Sequence, residues 1–149
     1  MINVGGKKKT RRISVARVFV HLGKELAAKI KNNNIPKGNV LETARIAGIM
    51  AAKKTPEIIP FCHNVGIECV KIEFKLEAEG LLIESEVAAT AKTGVEMEAM
   101  TACSAAALTV YDMCKMFSHL IEINGLYLLE KRGGKSGIYR RRITKLRET

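Results

Sequence analysis

From Val70 to Leu76 the chain alternates strictly: Val70, Ile72, Phe74 and Leu76 are apolar, while Lys71, Glu73, Lys75 and Glu77 are charged. Beyond a turn at Glu79-Gly80, Ile83, Ser85, Val87 and Ala89 return against Glu84 and Glu86. A period of two over both runs predicts half-buried strands joined as a β-hairpin. Residues 13–22 (ISVARVFVHL) are rich in β-branched and aromatic side chains and read as an earlier strand, ended by Gly23. Lys24–Lys31 then carries Leu26, Ala27 and Ile30 at helical spacing, and Asn32–Gly38 is a loop by its turn residues. Val40–Lys54 reads as a second helix, with Pro56 and Pro60 punctuating the chain behind it. Val95–Ser118, rich in Ala and Met and free of Gly and Pro, predicts one long helix, and Ile121–Glu130 predicts the final strand. The order β-α-α-β-β-α-β implies a ferredoxin-like α+β sandwich, an antiparallel sheet with helices on one face. No linker or repeat divides it, so residues 1–149 read as one domain.

At 47% apolar and 27% charged residues, the composition excludes a disordered or fibrous chain. No apolar run reaches the ~18 residues of a membrane span. Met1-Ile2-Asn3-Val4 does not open a signal peptide. Cys62, Cys69, Cys103 and Cys114 form no C-x-x-C pair, so reduced thiols in a cytoplasmic protein are the expectation. The net charge of +10 is uneven: +5 on residues 7–12, +7 from Lys131 to the end, and −2 between. Such a field attracts nucleic acid, acidic protein or a phosphorylated small molecule. Only Tyr139 interleaves an aromatic ring with these cations, so base-stacking nucleic-acid binding is poorly supported. The alternatives to an enzyme are a nucleic-acid module built on the basic termini and a structural oligomer built on the Ala/Met-rich helix.

Candidate chemistry clusters at four places. Cys62-His63 follows Pro60-Phe61 in a loop, where functional residues concentrate, and His titrates near neutral pH. A zinc site would need Cys62, His63 and Cys69, perhaps with Cys114 and His119, at spacings that fit no zinc pattern, so no metal is expected. Cys103, among alanines, reads as a core residue. On the long helix Glu98, Thr101, Thr109 and Asp112, the chain's single Asp, fall on one stripe, with Lys115 three residues past Asp112. Two readings stand: a solvated stripe with an ordinary ion pair, or an acid/base pair with pKa values drawn towards neutrality. Lys37-Gly38 opens a helix, where an anion is favoured. Gly133-Gly134-Lys135-Ser136-Gly137 has the look of a phosphate loop, but Leu129 stands where its first Gly belongs. What survives is a Gly-flanked lysine, either a solvated charge or a mobile phosphate clamp.

Several long stretches in register carry a resemblance. They are Lys37–Val40 with Thr43–Ile49, Ala51–Thr55, Ile59–His63, Lys92–Ala99, Ala106–Lys115 and Gly133–Gly137. With these the chain resembles the MoaC family of molybdenum cofactor biosynthesis, the cyclic pyranopterin monophosphate synthases. The resemblance implies a ferredoxin-like fold and a lyase acting on a cyclised dihydroguanosine triphosphate with release of pyrophosphate. It further implies no cofactor, and substrate supplied by a separate radical S-adenosylmethionine enzyme. The assembly implied is a homohexamer, a trimer of dimers with the site at a dimer interface. By motif, the catalytic groups fall on Asp112, Lys115, Lys37, Lys135, His63 and Glu96. Substrate contacts fall on Phe61, Cys62, His63, Met97 and Glu98, and triphosphate contacts on Arg12 and Lys53. Asn64, Asn39 and Asn3-Val4-Gly5 stand where the family usually has Pro, Asp and Asp-Val-Ser.

Glu98 and Asp112 are 14 residues apart on the predicted helix, which at about 1.5 Å per residue is roughly 21 Å. One chain cannot bring both to a single reacting atom. Either the two carboxylates flank opposite ends of a long nucleotide, or a second chain's antiparallel helix brings its Glu98 towards Asp112; the small residues Ala102, Ala105 and Ala106, which permit close helix approach, favour the second.

Overall fold

A computed structural model describes residues 1–142; Lys145, Arg147 and Glu148 of the C-terminal charged segment lie outside the described residues. Strand β1 (Thr10–His21) turns Ser14, Ala16, Val18 and Val20 into the core and shows its alternate residues to the other side. It pairs in unbroken antiparallel register with β3 (Gly80–Ala91), from Thr10 opposite Ala91 to His21 opposite Gly80. β2 (Ile67–Leu76) flanks β3, while β4 (Glu122–Arg132) lies on the other side of β1. A two-residue strand β5 (Tyr139–Arg140) follows, giving the antiparallel order β2-β3-β1-β4-β5. The first four strands are in ferredoxin-like order, so the α+β expectation holds.

The helices α1 (Lys24–Lys31), α2 (Val40–Lys53) and α4 (Glu96–Cys114) cover one sheet face, joined by a single turn α3 (Thr55–Ile58) that begins the Pro56 break. α4 is the central rod. Ala99, Ala102, Cys103, Ala106, Ala107 and Val110 are fully buried on it, against α2 and the sheet. α2 can lie this close because residue 48 is Gly. A Cβ there would collide with Ile72 Cδ1 and stand 2.9 Å from the Ala102 carbonyl. Ala102 and Ala106 are thus consumed within the chain, leaving Ala105 half-exposed. This corrects the expectation that those small residues form a surface for a partner helix.

Cys103 is the core residue expected. Its Sγ meets Ser85 Oγ at 3.3 Å, Ser85 Oγ donates to the Ala99 carbonyl at 2.6 Å, and burial pushes the thiol up to about 11. That chain of bonds satisfies polar groups that would otherwise cost about 1–3 kcal/mol each.

Two boundaries differ from expectation. α4 stops at Cys114 rather than Ser118, and leaving the helix lets Phe117 reach α1, where the Lys29 ammonium stands 5.4 Å from the ring centroid. β4 runs through Asn124-Gly125 to Arg132 and is not the last strand. Its register against β1 shifts between Arg17 and Phe19, a bulge at which Gly125 takes φ 63°. Among the described residues no helix is long and apolar enough to cross a membrane.

Candidate active site

The residues singled out by sequence gather at the two ends of α4. At its C-terminal end, the turn before α2 carries Lys37 and then Gly38, whose φ of 105° lets the chain reverse into the helix. Asn39 caps α2, its side chain accepting from the Glu42 N–H at 3.0 Å. The Asn found there therefore performs the cap that an Asp would. So placed, Lys37 Nζ donates to Asp112 Oδ2 at 2.9 Å and to the Asp112 carbonyl at 2.8 Å. The carbonyl is among the last of the helix, where a cation is favoured. Lys115 Nζ meets the other carboxylate oxygen, Oδ1, at 2.7 Å.

Asp112 is consequently held down to about 2, by its bonds from Lys115 and then Lys37, and Lys115 is raised in return. The expectation of an acid/base pair drawn towards neutrality does not survive here. Asp112 is exposed, so the desolvation that opposes its ionisation is outweighed by the two ammonium groups that clamp it in the charged form.

The other end is built from the loops that converge on Gly94 and Glu96. Phe61, Cys62, His63, Glu96, Met97 and Glu98 line one small cavity of about 140 Å³. A larger one of about 810 Å³ adjoins it through Thr93, Gly94 and Glu96, and is lined by Arg12, Lys92, Lys131 and Lys135 and by the N-terminal Lys7 and Lys8. Gly94 has no side chain because the Glu96 carboxylate folds back over it. Glu96 Oε1 accepts from Lys131 Nζ at 3.0 Å.

Glu98, only 3% exposed, has its carboxyl pushed up by burial, with the Glu96 charge adding. Burial and then Glu98 push the Cys62 thiol up as well. Cys62 is therefore a protonated polar contact rather than a thiolate. Arg12 Nη2 reaches the Lys92 carbonyl at 3.5 Å, while its buried Nε has no partner among the described residues. A cation with a donor to spare on a cation-lined cavity is suited to an anion.

Twelve proposed positions thus sort unequally. Eight of them (Arg12, Phe61, Cys62, His63, Glu96, Met97, Glu98 and Lys135) line the two adjoining cavities, Lys37, Asp112 and Lys115 gather at the other end of α4, and Lys53, exposed at the end of α2, lines neither cavity. Lys131 and Lys92 were missed as site residues. Lys131 is placed by the strand register, which sequence spacing does not give: it pairs opposite Ser14, an inward position of β1, and its side chain meets Glu96 at the start of α4. Among the described residues no three His, Cys, Asp or Glu side chains gather into a metal-holding group.

Fold and site together define an α+β protein in which a cation-lined cavity opens beside one lined by titratable side chains. The chain belongs to the MoaC family, whose sequence profile matches residues 1–134. It is similar to three proteins named cyclic pyranopterin monophosphate synthase. That of Novosphingobium aromaticivorans is 46% identical over 140 residues, covering 94% of this chain and 89% of the relative. That of Peptoclostridium acidaminophilum is 47% identical over 141 residues, covering 95% and 90%. That of Listeria monocytogenes serotype 4b is 48% identical over 141 residues, covering 94% and 88%.

Proposed function

We propose that this chain is a cyclic pyranopterin monophosphate synthase of molybdenum cofactor biosynthesis. It is a lyase that converts (8S)-3′,8-cyclo-7,8-dihydroguanosine 5′-triphosphate to cyclic pyranopterin monophosphate and pyrophosphate. The observation that carries this reading is the junction at Glu96, where a cavity lined by cations opens into one lined by His63, Cys62 and Glu98. The first suits a triphosphate and the second a heterocycle whose rings must be opened and reclosed by proton transfers.

The side chains divide the work accordingly. Arg12 and Lys135 neutralise the phosphates, so that an attacking oxygen bonds to the α-phosphorus as the bond to pyrophosphate breaks. Lys131 holds Glu96 in place at the junction. Phe61 and Met97 offer apolar contact to the rings, and Cys62 a polar one. Glu98 has its proton affinity raised by burial, which suits it to take and return a proton with His63. Asp112 stays ionised and holds the ammonium groups of Lys37 and Lys115 as a fixed pair of cations.

Asp112 and Glu98 serve one reacting atom only if a second chain supplies one of them, since α4 keeps them about 21 Å apart within a chain. Support for a second copy comes from the outward face of the helical layer, where Ile46 and Met50 of α2 and Leu108 of α4 are all more than half exposed. The assembly proposed is a dimer with shared sites, three of which form a hexamer. The substrate comes from a separate radical S-adenosylmethionine enzyme, in the cytoplasm.

Incubating the purified protein with the cyclised triphosphate and following pyrophosphate release tests the reading. Turnover that is lost in Lys37→Met is expected; a folded wild-type protein that releases no pyrophosphate above the blank overturns it.

A further inference from the structure

Lys135 lies one residue beyond the stretch matched by the family profile, in a loop tied at both ends. On one side is β4. On the other is β5, where Arg140 pairs with Glu130 and Tyr139 with Lys131, and the Arg141 N–H donates to the Leu129 carbonyl at 2.8 Å. Two side-chain contacts reinforce the return. Arg140 Nε donates to Glu130 Oε2 at 3.1 Å, and the Arg141 guanidinium stands 4.5 Å from the centroid of the Tyr127 ring. The Glu130 carboxyl, held below the usual range by Arg132 and then Arg140, stays charged to receive both arginines.

The loop between the strands is pliable in itself. Gly133, Gly134 and Gly137 take φ of 97°, 79° and 66°, a region glycine enters and leaves freely. It is also closely fitted: a Cβ at Gly133 would strike the Arg11 carbonyl, and one at Gly134 the Arg12 guanidinium. A pliable loop keeps such a fit only while both its ends are held. Freed of β5, Lys135 would stand three residues past Arg132 on a loose end, and its concentration at the cavity would fall.

Building on the phosphate-clamp role given to Lys135 above, we propose that β5 is a clasp: Arg140 on Glu130 and Arg141 on Tyr127 position Lys135 at the mouth of the cation-lined cavity. Arg140 and Arg141 are positioning residues, which act through Lys135 and touch no substrate.

The test compares three variants of the full chain with wild type. Arg140→Gln removes the tie, Arg140→Lys keeps a cation able to meet Glu130, and Arg142→Gln removes one charge from an exposed position beyond the clasp. Two quantities are read: the rate of tryptic cleavage after Lys135, by mass spectrometry, and kcat/KM for the cyclised triphosphate. Arg140→Gln is expected to speed cleavage and lower kcat/KM, each about fivefold, the scale of one exposed ion pair. Arg140→Lys recovers most of both, and Arg142→Gln changes neither. Cleavage unaltered in Arg140→Gln overturns the clasp. So does a lowered melting temperature with cleavage and kcat/KM unmoved, which marks β5 as ordinary edge reinforcement. The cleavage arm needs no turnover, so an inactive wild type whose loop still loosens in Arg140→Gln counts against the proposed reaction rather than against the tie.

Discussion

Refolding an equimolar mixture of Glu98→Gln and Asp112→Asn chains asks whether the two ends of α4 serve the same site. Each substitution replaces a carboxylate by its near-isosteric amide, so shape is kept while one charge is removed. Alone, each protein is expected to be nearly inactive. On random pairing, half the dimers are mixed. If every site takes Glu98 from one chain and Asp112 from the other, each mixed dimer has one intact site and one doubly damaged site. Activity then returns to about a quarter of wild type, because half the dimers recover one site in two. The geometry leaves little room for compromise: 14 residues of unbroken helix separate the two carboxylates, about 21 Å at 1.5 Å per residue, and no pair of side chains spans that. The assay is pyrophosphate release, with native mass spectrometry to verify mixed oligomers. Mixed oligomers without recovered activity refute the shared site.

Further outcomes follow from individual contacts. Lys135→Ala lowers turnover by orders of magnitude, while its melting temperature stays within about 2 °C, as for other exposed loop substitutions; a cooperative loss of stability contradicts this. Gly48→Ala sets a methyl group against Ile72 and the Ala102 carbonyl, an overpacking cost of about 1–3 kcal/mol that lowers the melting temperature by roughly 3–10 °C in calorimetry. Glu98→Gln is more stable than wild type at neutral pH. A raised folded pKa gives stability that is present below the ordinary Glu range and lost as pH rises through the folded value. The variant's advantage is therefore absent near pH 4 and appears on going up, in melts across that range. Asp112, with its pKa near 2, works the other way: its contribution is present above the ordinary Asp range and fades as pH falls towards 2. In Lys37→Met, NMR titration of the Asp112 carboxyl is expected to show its pKa moving up.

Much of the fold can be read from the chain because its strands alternate cleanly. Val18 and Ile83 had to face inward once the period was two, and both are fully buried. The stop of α4 at Cys114 was not legible, since Met116 and Phe117 continue the helical pattern, and the contact of the Phe117 ring with Lys29 of α1 is made across the fold. Nor was β5, whose two residues carry no period and owe their conformation to β4. The site was legible as a set of residue types and not as an arrangement. Local spacing links Asp112 with Lys115, but Lys37 joins them across 75 residues of chain. The environment of Asp112 was misjudged for the same reason: an apolar helix suggests burial, yet that stripe emerges from the core at its last turn, where two lysines lie in solvent.

The two ends of α4 are electrostatic opposites, and this bears on why one helix holds both. At its start, Glu98 is buried and resists ionisation; at its end, Asp112 is exposed and resists protonation. A reaction that opens one ring and closes another must both remove and deliver protons. Glu98, with its proton affinity raised, suits the proton transfers, while lysines whose charge is anchored by a permanent carboxylate suit the negative charge that develops on reacting oxygens, and neither group quenches the other. Placed side by side in one chain, the ammonium groups would pair with Glu98 and pull its pKa back down. Holding them about 21 Å apart on a rigid rod prevents that within the subunit. In the proposed dimer the two sets meet across the interface, around the substrate. On this argument Lys37→Met in a mixed dimer behaves as Asp112→Asn does: it complements Glu98→Gln to about a quarter of wild-type activity and fails to complement Asp112→Asn. Recovery in the second mixture would mean that Lys37 and Asp112 act in different sites, and the division of labour proposed for α4 would fall.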